Sequence, residues 1–203
     1  MKLLIKADNL WLENSRSVVF KNAHIEIKAG EFIWLEGAQA SGKSMLMGIL
    51  SQKRKPSKGI ISSSLRAPLC NSKCTLLENE SVKNNIKAVL PEKPLDDAAF
   101  TVTELLKSMN LFSLRNVPAR DLSRGQRQML NLTTFLALDT EILLFDDPMS
   151  ALDNESRVLF IQAADKKHRQ GAAIVISSTL PCPGICPSGT RHFLLKNGQL
   201  SEE

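Results

Sequence analysis

Leu3, Ile5 and Ala7 alternate with polar neighbours, Val18-Val19-Phe20 follows a polar turn, and His24-Ile25-Glu26-Ile27 alternates again. A period of two predicts strands that bury one face, so residues 1–27 read as strand-rich. Ala29-Gly30 interrupts the pattern. Phe32-Ile33-Trp34-Leu35 is instead a continuous apolar run, which predicts a short strand covered on both faces. From Gly42 the spacing lengthens: Met45, Leu46, Ile49 and Leu50 recur with a period near 3.6 and predict a helix. The stretch 59–120 is rich in Ser, Asn and Pro and predicts one helix, Val102 to Met109, with Val102, Leu105, Leu106 and Met109 on one face. Regular patterning then returns. Ser123 is placed to cap a helix running to Ala137, Ile142–Phe145 is a second buried strand, Asn154 to Arg169 is a long helix, and Ala173–Ile176 is a third buried strand. Strands alternating with helices imply an α/β fold, a mainly parallel sheet flanked by helices on both faces.

The 203 residues carry 26 Lys and Arg against 21 Asp and Glu, a net charge of +5, and 43% are hydrophobic. That length and balance suit one ordered domain, with at most a subdomain inserted into it. No apolar run reaches the ~20 residues needed to cross a bilayer, and the N-terminal charges enclose only three apolar residues, short of a signal-peptide core. A soluble cytoplasmic chain is expected. The basic excess admits an acidic partner but selects none. Lys53-Arg54-Lys55-Pro56-Ser57-Lys58 reads as a solvated turn. With two Trp, eight Phe and no Tyr, a base-stacking platform is disfavoured and no nucleic-acid partner is expected.

Gly37-Ala38-Gln39-Ala40-Ser41-Gly42-Lys43-Ser44 has the spacing G-x-x-x-x-G-K-[ST] between a buried strand and an amphipathic helix. Such a loop aims backbone N–H groups at one point, and the helix dipole adds about half a positive charge there. Lys43 can reach β- and γ-phosphates, and the Ser44 hydroxyl can ligate Mg²⁺. Further along, Ile142-Leu143-Leu144-Phe145-Asp146-Asp147-Pro148 delivers two carboxylates at the C-terminal end of a buried strand, where ligands of parallel sheets gather. Asp146 is the candidate metal ligand. Asp147 is the candidate for polarising an attacking water.

The order of Gly37–Ser44, Asp121-Leu122-Ser123-Arg124-Gly125-Gln126-Arg127-Gln128, Ile142–Pro148 and Met149-Ser150-Ala151-Leu152-Asp153 resembles an ABC transporter ATP-binding subunit. The resemblance covers essentially the whole chain and reaches the closing hairpin at Phe193–Leu200. It implies a P-loop NTPase of ABC type, with an N-terminal antiparallel β subdomain, an ATP-binding core at 1–82 and 121–203, and an inserted helical subdomain at 83–120. It implies ATP and Mg²⁺ as cofactors, with nucleotide contacts from Gly37, Ala38, Gln39, Ala40, Ser41, Gly42, Lys43, Ser44 and Met45. Leu122, Ser123, Arg124, Gly125 and Gln126 correspond to the signature motif with one departure, at Arg124; in the family that motif closes over ATP held by the opposite subunit of a head-to-tail dimer. Separate transmembrane subunits would hold the chain on the cytoplasmic face of the membrane.

The departures from the family cluster at the hydrolytic parts. Asp147 stands where Glu is usual, one methylene shorter, and a misplaced base loses rate steeply. Ser177-Ser178-Thr179 stands where a His normally contacts the γ-phosphate, with Ser178 the closest match. No Gln occurs at Leu69–Cys74, leaving Asn71 or Lys73 to stand in. The adenine-stacking aromatic would fall near Asn14, with Trp11 the nearest substitute; Ala40 replaces a frequent Gly, and Met45 a frequent hydroxyl residue. This pattern implies binding of MgATP with slow hydrolysis, in a homodimer or beside a better-equipped partner, with a nucleotide-dependent regulatory subunit as the alternative. Asn79–Ile86 is similar to the corresponding segment of exporters and favours export. A chromosome-associated ATPase would need coiled-coil insertions that the heptad pattern lacks, and a small-molecule kinase leaves Leu122–Gln126 unaccounted for. Cys70/Cys74 and Cys182/Cys186 are spaced C-x₃-C and stand either as free thiols or as a metal or redox site.

Overall fold

A computed structural model of the chain describes residues 1–13, 17–71, 75–91 and 95–203, and the side chains of 95–100 lie outside that description. The three continuous apolar runs are strands β3 (Phe32–Glu36), β6 (Ile142–Asp146) and β7 (Ala173–Ser178). They lie side by side, in the order β5-β6-β7-β3-β8-β9. Strand β5 is Leu69–Cys70, β8 is Arg191–Lys196 and β9 is Gln199–Glu202. All neighbours are parallel except β8 and β9, which form a hairpin. Its turn, Asn197-Gly198, has positive φ at both residues, the backbone a tight hairpin requires.

Alternate residues of the central strands enter separate cores, which is why these segments are apolar throughout. Phe32, Trp34, Leu143, Phe145, Ile174 and Ile176 face one cluster, which also takes in residues of helices α2 (Val82–Lys87), α3 (Leu95–Ser108), α4 (Arg124–Leu136) and α5 (Asn154–Arg169). Ile33, Leu35, Ile142, Leu144, Ala173 and Val175 face the other, with helix α1 (Lys43–Leu50) and the N-terminal strands. Those strands, β1 (Leu3–Glu13), β2 (Val18–Lys28) and β4 (Lys58–Ser63), form a second, antiparallel sheet ordered β2-β1-β4. The fold is the α/β arrangement expected, with the antiparallel N-terminal sheet in place.

Details differ from the patterning. Leu3 is 42% exposed while Leu4 is buried, because the β1–β2 register shifts between Leu3 and Ile5. Met47 is fully buried in α1 and Met45 only partly, so the buried face of that helix is wider than one stripe. Three elements lie where no period marked them. β4 is largely exposed, with Ile60 at 73%, and begins at Lys58, the last residue of the presumed turn. β5 has 2 residues, and α2 has 6, started by the Ser81 side chain accepting from Asn84 N–H.

Candidate functional site

The C-terminal ends of β3, β6 and β7 converge, because parallel register aligns Glu36 with Ser178 and Asp146 with Ser177. The loop after β3 carries Gly37 to Gly42 and feeds α1, whose N-cap is Gly42 at φ 107. A Cβ at Gly42 would meet Val19 Cγ1 at 2.8 Å, and one at Gly37 would lie 2.6 Å from the Leu195 carbonyl oxygen and 2.7 Å from Ser41 Oγ. Both glycines are therefore required by space. No side chain caps α1 and no acid lies in its first turn, so its N–H groups are left facing the cavity.

This loop lines a cavity of about 900 Å³ together with Glu36, Lys43, Ser44, Met45, Val18 and Val19 of β2, Thr179, and the β8–β9 turn. Lys43 is buried, and its Nζ donates to the carbonyls of Gly37 and Ala38 at 2.7 and 2.8 Å. Burial lowers its pKa, while Asp147, Asp146 and Glu36 pull the other way. Asp147, half-buried, is raised by burial and by the Asp146 charge, with Lys43 opposing. Loop cradle, lysine and paired carboxylates thus share one electrostatic environment. Ser41 Oγ is buried and has no hydrogen-bond partner among the described residues. An unpaired hydroxyl, open N–H groups and a buried ammonium suit a phosphate group, and the hydroxyl and carboxylate oxygens of Ser44 and Asp146 are hard donors that suit Mg²⁺.

Other expected residues fall differently. Ser178 is 1% exposed, and its Oγ accepts from Leu180 N–H at 2.9 Å within its own turn. The exposed Thr179, one residue on, lines the cavity instead. Trp11 lines an adjoining cavity with Lys21 and Asn22, which shares Leu194, Lys196 and Asn197 with the first. Its indole N–H donates to Asn9 Oδ1 at 3.0 Å, and Lys58 Nζ lies 5.1 Å from the ring centroid. Asn14, Lys73 and Cys74 lie outside the described residues. Asn71 is half-buried after β5, and its carbonyl accepts from Asn131 Nδ2 of α4 at 3.4 Å. Ser177 was not singled out by pattern because its importance comes from cross-strand register, and Thr179, just beyond β7, because only the folded cavity wall places it.

Ser123, Gly125 and Gln126 line a separate cavity with Ala151, Leu152 and Asp153. Here Ser123 Oγ accepts from Gln126 N–H at 3.3 Å while Gln126 Oε1 accepts from Ser123 N–H at 2.9 Å, a reciprocal cap on α4. Leu122 is buried beneath it and Arg124 is exposed. Farther along α4, Gln128 Nε2 donates to the Pro148 carbonyl at 3.0 Å, tying this helix to the turn after Asp147. Cys182 and Cys186 are half-buried in the loop after β7, Cys182 Sγ donates to the Pro183 carbonyl at 3.8 Å, and burial raises both thiols, Cys186 strongly. Among the described residues, no group of three His, Cys, Asp or Glu side chains could hold a metal ion, and no helix is long and apolar enough to cross a membrane.

The ABC transporter family profile matches residues 20–150. The chain is 26% identical, over 97% of its length, to the macrolide export ATP-binding/permease protein MacB of Campylobacter jejuni. It is 30% identical, over 98% of its length, to the ATP-dependent lipid A-core flippase of Psychrobacter arcticus. It spans about a third of the length of these relatives, 33% and 36%. Among solved structures, a dimeric ATP-binding cassette in a post-hydrolysis state bound to ADP and Pi superposes with a TM-score of 0.80 at 23% identity, over 98% of either chain. At that identity the likeness speaks to the fold.

Proposed function

The chain is a nucleotide-binding domain of the ABC transporter family, and from that premise we propose that it binds MgATP between its phosphate loop and the Asp146-Asp147 turn and hydrolyses it slowly. The observation that carries this reading is the cavity lined by Gly37–Met45, whose buried Lys43 feels the charges of Asp147 and Asp146. Backbone N–H groups of the loop would hold the β-phosphate. Lys43 would exchange its loop carbonyls for phosphate oxygens, and Ser44 with Asp146 would hold the metal, which polarises the γ-phosphoryl group when bound. Asp147 would take the proton of the attacking water, and Ser123 and Gly125 would face the nucleotide of a second chain. Residues 83–120 would form the helical subdomain, between core segments 1–82 and 121–203.

Slow hydrolysis is favoured by the position of Ser178, whose buried hydroxyl oxygen accepts from Leu180 N–H within its own turn and supplies no charge. A regulatory partner subunit that binds but does not turn over is the second reading, on the same observation. Transport would run through separate membrane subunits on whose cytoplasmic face the domain docks. Export is the direction suggested by what MacB is named for and by Asn79–Ile86.

The test is ATP binding and turnover by the purified chain with Mg²⁺, beside Lys43→Ala and Asp147→Glu. Binding lost in Lys43→Ala and hydrolysis increased in Asp147→Glu support a motor whose base is too short. Binding without turnover in either protein moves the regulatory reading ahead. Absence of binding by the wild type overturns both.

A further inference from the structure

Ser177 is fully buried, at 0% exposure, near the end of β7, after four apolar residues, Ala173 to Ile176. Parallel register sets it beside Asp146. Its Oγ donates to Asp146 Oδ1 at 2.7 Å and accepts the Asp147 N–H at 3.2 Å, and its carbonyl oxygen accepts the same N–H at 3.1 Å. The directions are forced by chemistry. A backbone N–H can only donate, so the hydroxyl's lone pair serves Asp147 and its proton is left for the carboxylate. One hydroxyl thus engages both acidic residues where the chain leaves the sheet. It does so at a strained point, because Asp147 has φ 48, in the left-handed region. With Oδ1 held from β7, the Asp146 carboxylate cannot rotate freely, and Oδ2 accepts no hydrogen bond from the described residues.

We infer that Ser177 is the positioning residue of the metal-binding carboxylate: it orients Asp146 for the Mg²⁺ of a bound nucleotide and fixes the Asp147 backbone that follows. The inference rests on the reading of this cavity as a MgATP site. An apolar residue at 177 would pack as its four predecessors do, so a merely structural role does not call for a hydroxyl at this register position. A hydrogen bond behind a metal ligand sets its direction and basicity, and removing such a group commonly weakens metal binding about 10- to 100-fold.

The experiment measures binding of a fluorescent ATP analogue to the whole chain in EDTA and across a Mg²⁺ titration, for wild type, Ser177→Ala, Ser177→Cys and Ser177→Thr. Ser177→Ala is expected to raise the Mg²⁺ concentration for half-maximal tightening by about 10-fold or more, with affinity in EDTA unchanged. Ser177→Thr, which keeps the hydroxyl, is expected to restore the wild-type titration. Ser177→Cys keeps the volume with a weak donor and carries the same comparison where the alanine variant fails to fold. An unchanged Mg²⁺ requirement overturns the inference, as does an equal loss in EDTA and in Mg²⁺, or wild-type binding that is indifferent to Mg²⁺. Each of those leaves the nucleotide site standing. A wild type that binds no nucleotide under either condition removes both.

Discussion

Ala40 holds a left-handed backbone, φ 63, on the exposed rim of the phosphate loop. A Cβ in that region costs about 1–2 kcal/mol, and glycine's larger unfolded-state entropy offsets about half of the relief. Ala40→Gly is therefore expected to stabilise the protein by about 0.5 kcal/mol, read from urea midpoints. Gly37→Ala should do the opposite. Its Cβ would press on the Leu195 carbonyl oxygen, so a loss of about 1–3 kcal/mol and of nucleotide binding is expected. The thiol pair gives a pH signature. Burial holds Cys186 well above an ordinary thiol, so above about pH 8.5 the unfolded chain releases a proton that the folded chain keeps. Stability is full below that pH and falls as pH rises past it, and Cys186→Ser should flatten the fall in denaturation series between about pH 8 and 10. At this scale the glycines of the Gly37–Ser44 loop were legible because backbone geometry dictates residues at fixed local spacing. Ser177 and Thr179 were not, since a neighbouring strand distinguishes the first and the folded cavity wall the second. Ser178 looks like the polar group nearest the phosphate when read along the chain, yet its side chain is buried and bonded to Leu180.

Helix α4 is the element that joins the parts. Its cap lines the cavity at Ser123 and Ala151, Gln128 reaches the Pro148 carbonyl, and Asn131 Nδ2 donates to Cys70 Sγ at 3.3 Å and to the Asn71 carbonyl. Arg127 from the same helix pairs with Glu78 and donates to the Ala119 carbonyl, fastening both ends of the stretch that contains α2 and α3. Ser123→Ala removes one half of the reciprocal cap and should cost about 1 kcal/mol in thermal or urea unfolding. Long elements were legible wherever burial is periodic. Asn154 to Arg169 is helical over its whole expected length because Asp153 caps it, accepting from Ser156 N–H, and because Phe160, Ile161 and Ala164 face the core. β4, β5 and α2 were not legible. An exposed edge strand has no buried face to alternate, and elements of 2 or 6 residues are too short to establish a period.

At the scale of the whole molecule, the sheet separates two cores, and the phosphate-loop cavity shares no lining residue with the cavity at Ser123 and Ala151. If the two cavities are the halves of the proposed nucleotide site, the chain must pair with a second one to complete it. In sedimentation with ATP and Mg²⁺, Asp147→Asn is expected to dimerise, and Ser123→Arg added to it to stay monomeric; a monomer in both points to a different chain as partner. The indole N–H of Trp34, completely enclosed in the core, donates to the Leu180 carbonyl at 3.2 Å, next to the cavity-lining Thr179. The chain has two tryptophans and no tyrosine, so its ultraviolet emission comes from two indoles alone. With Trp11 changed to Phe, the remaining indole becomes a built-in optical gauge. A ligand that shifts the Thr179 turn is expected to change that bond, and a moved emission maximum would read it without a dye or a label.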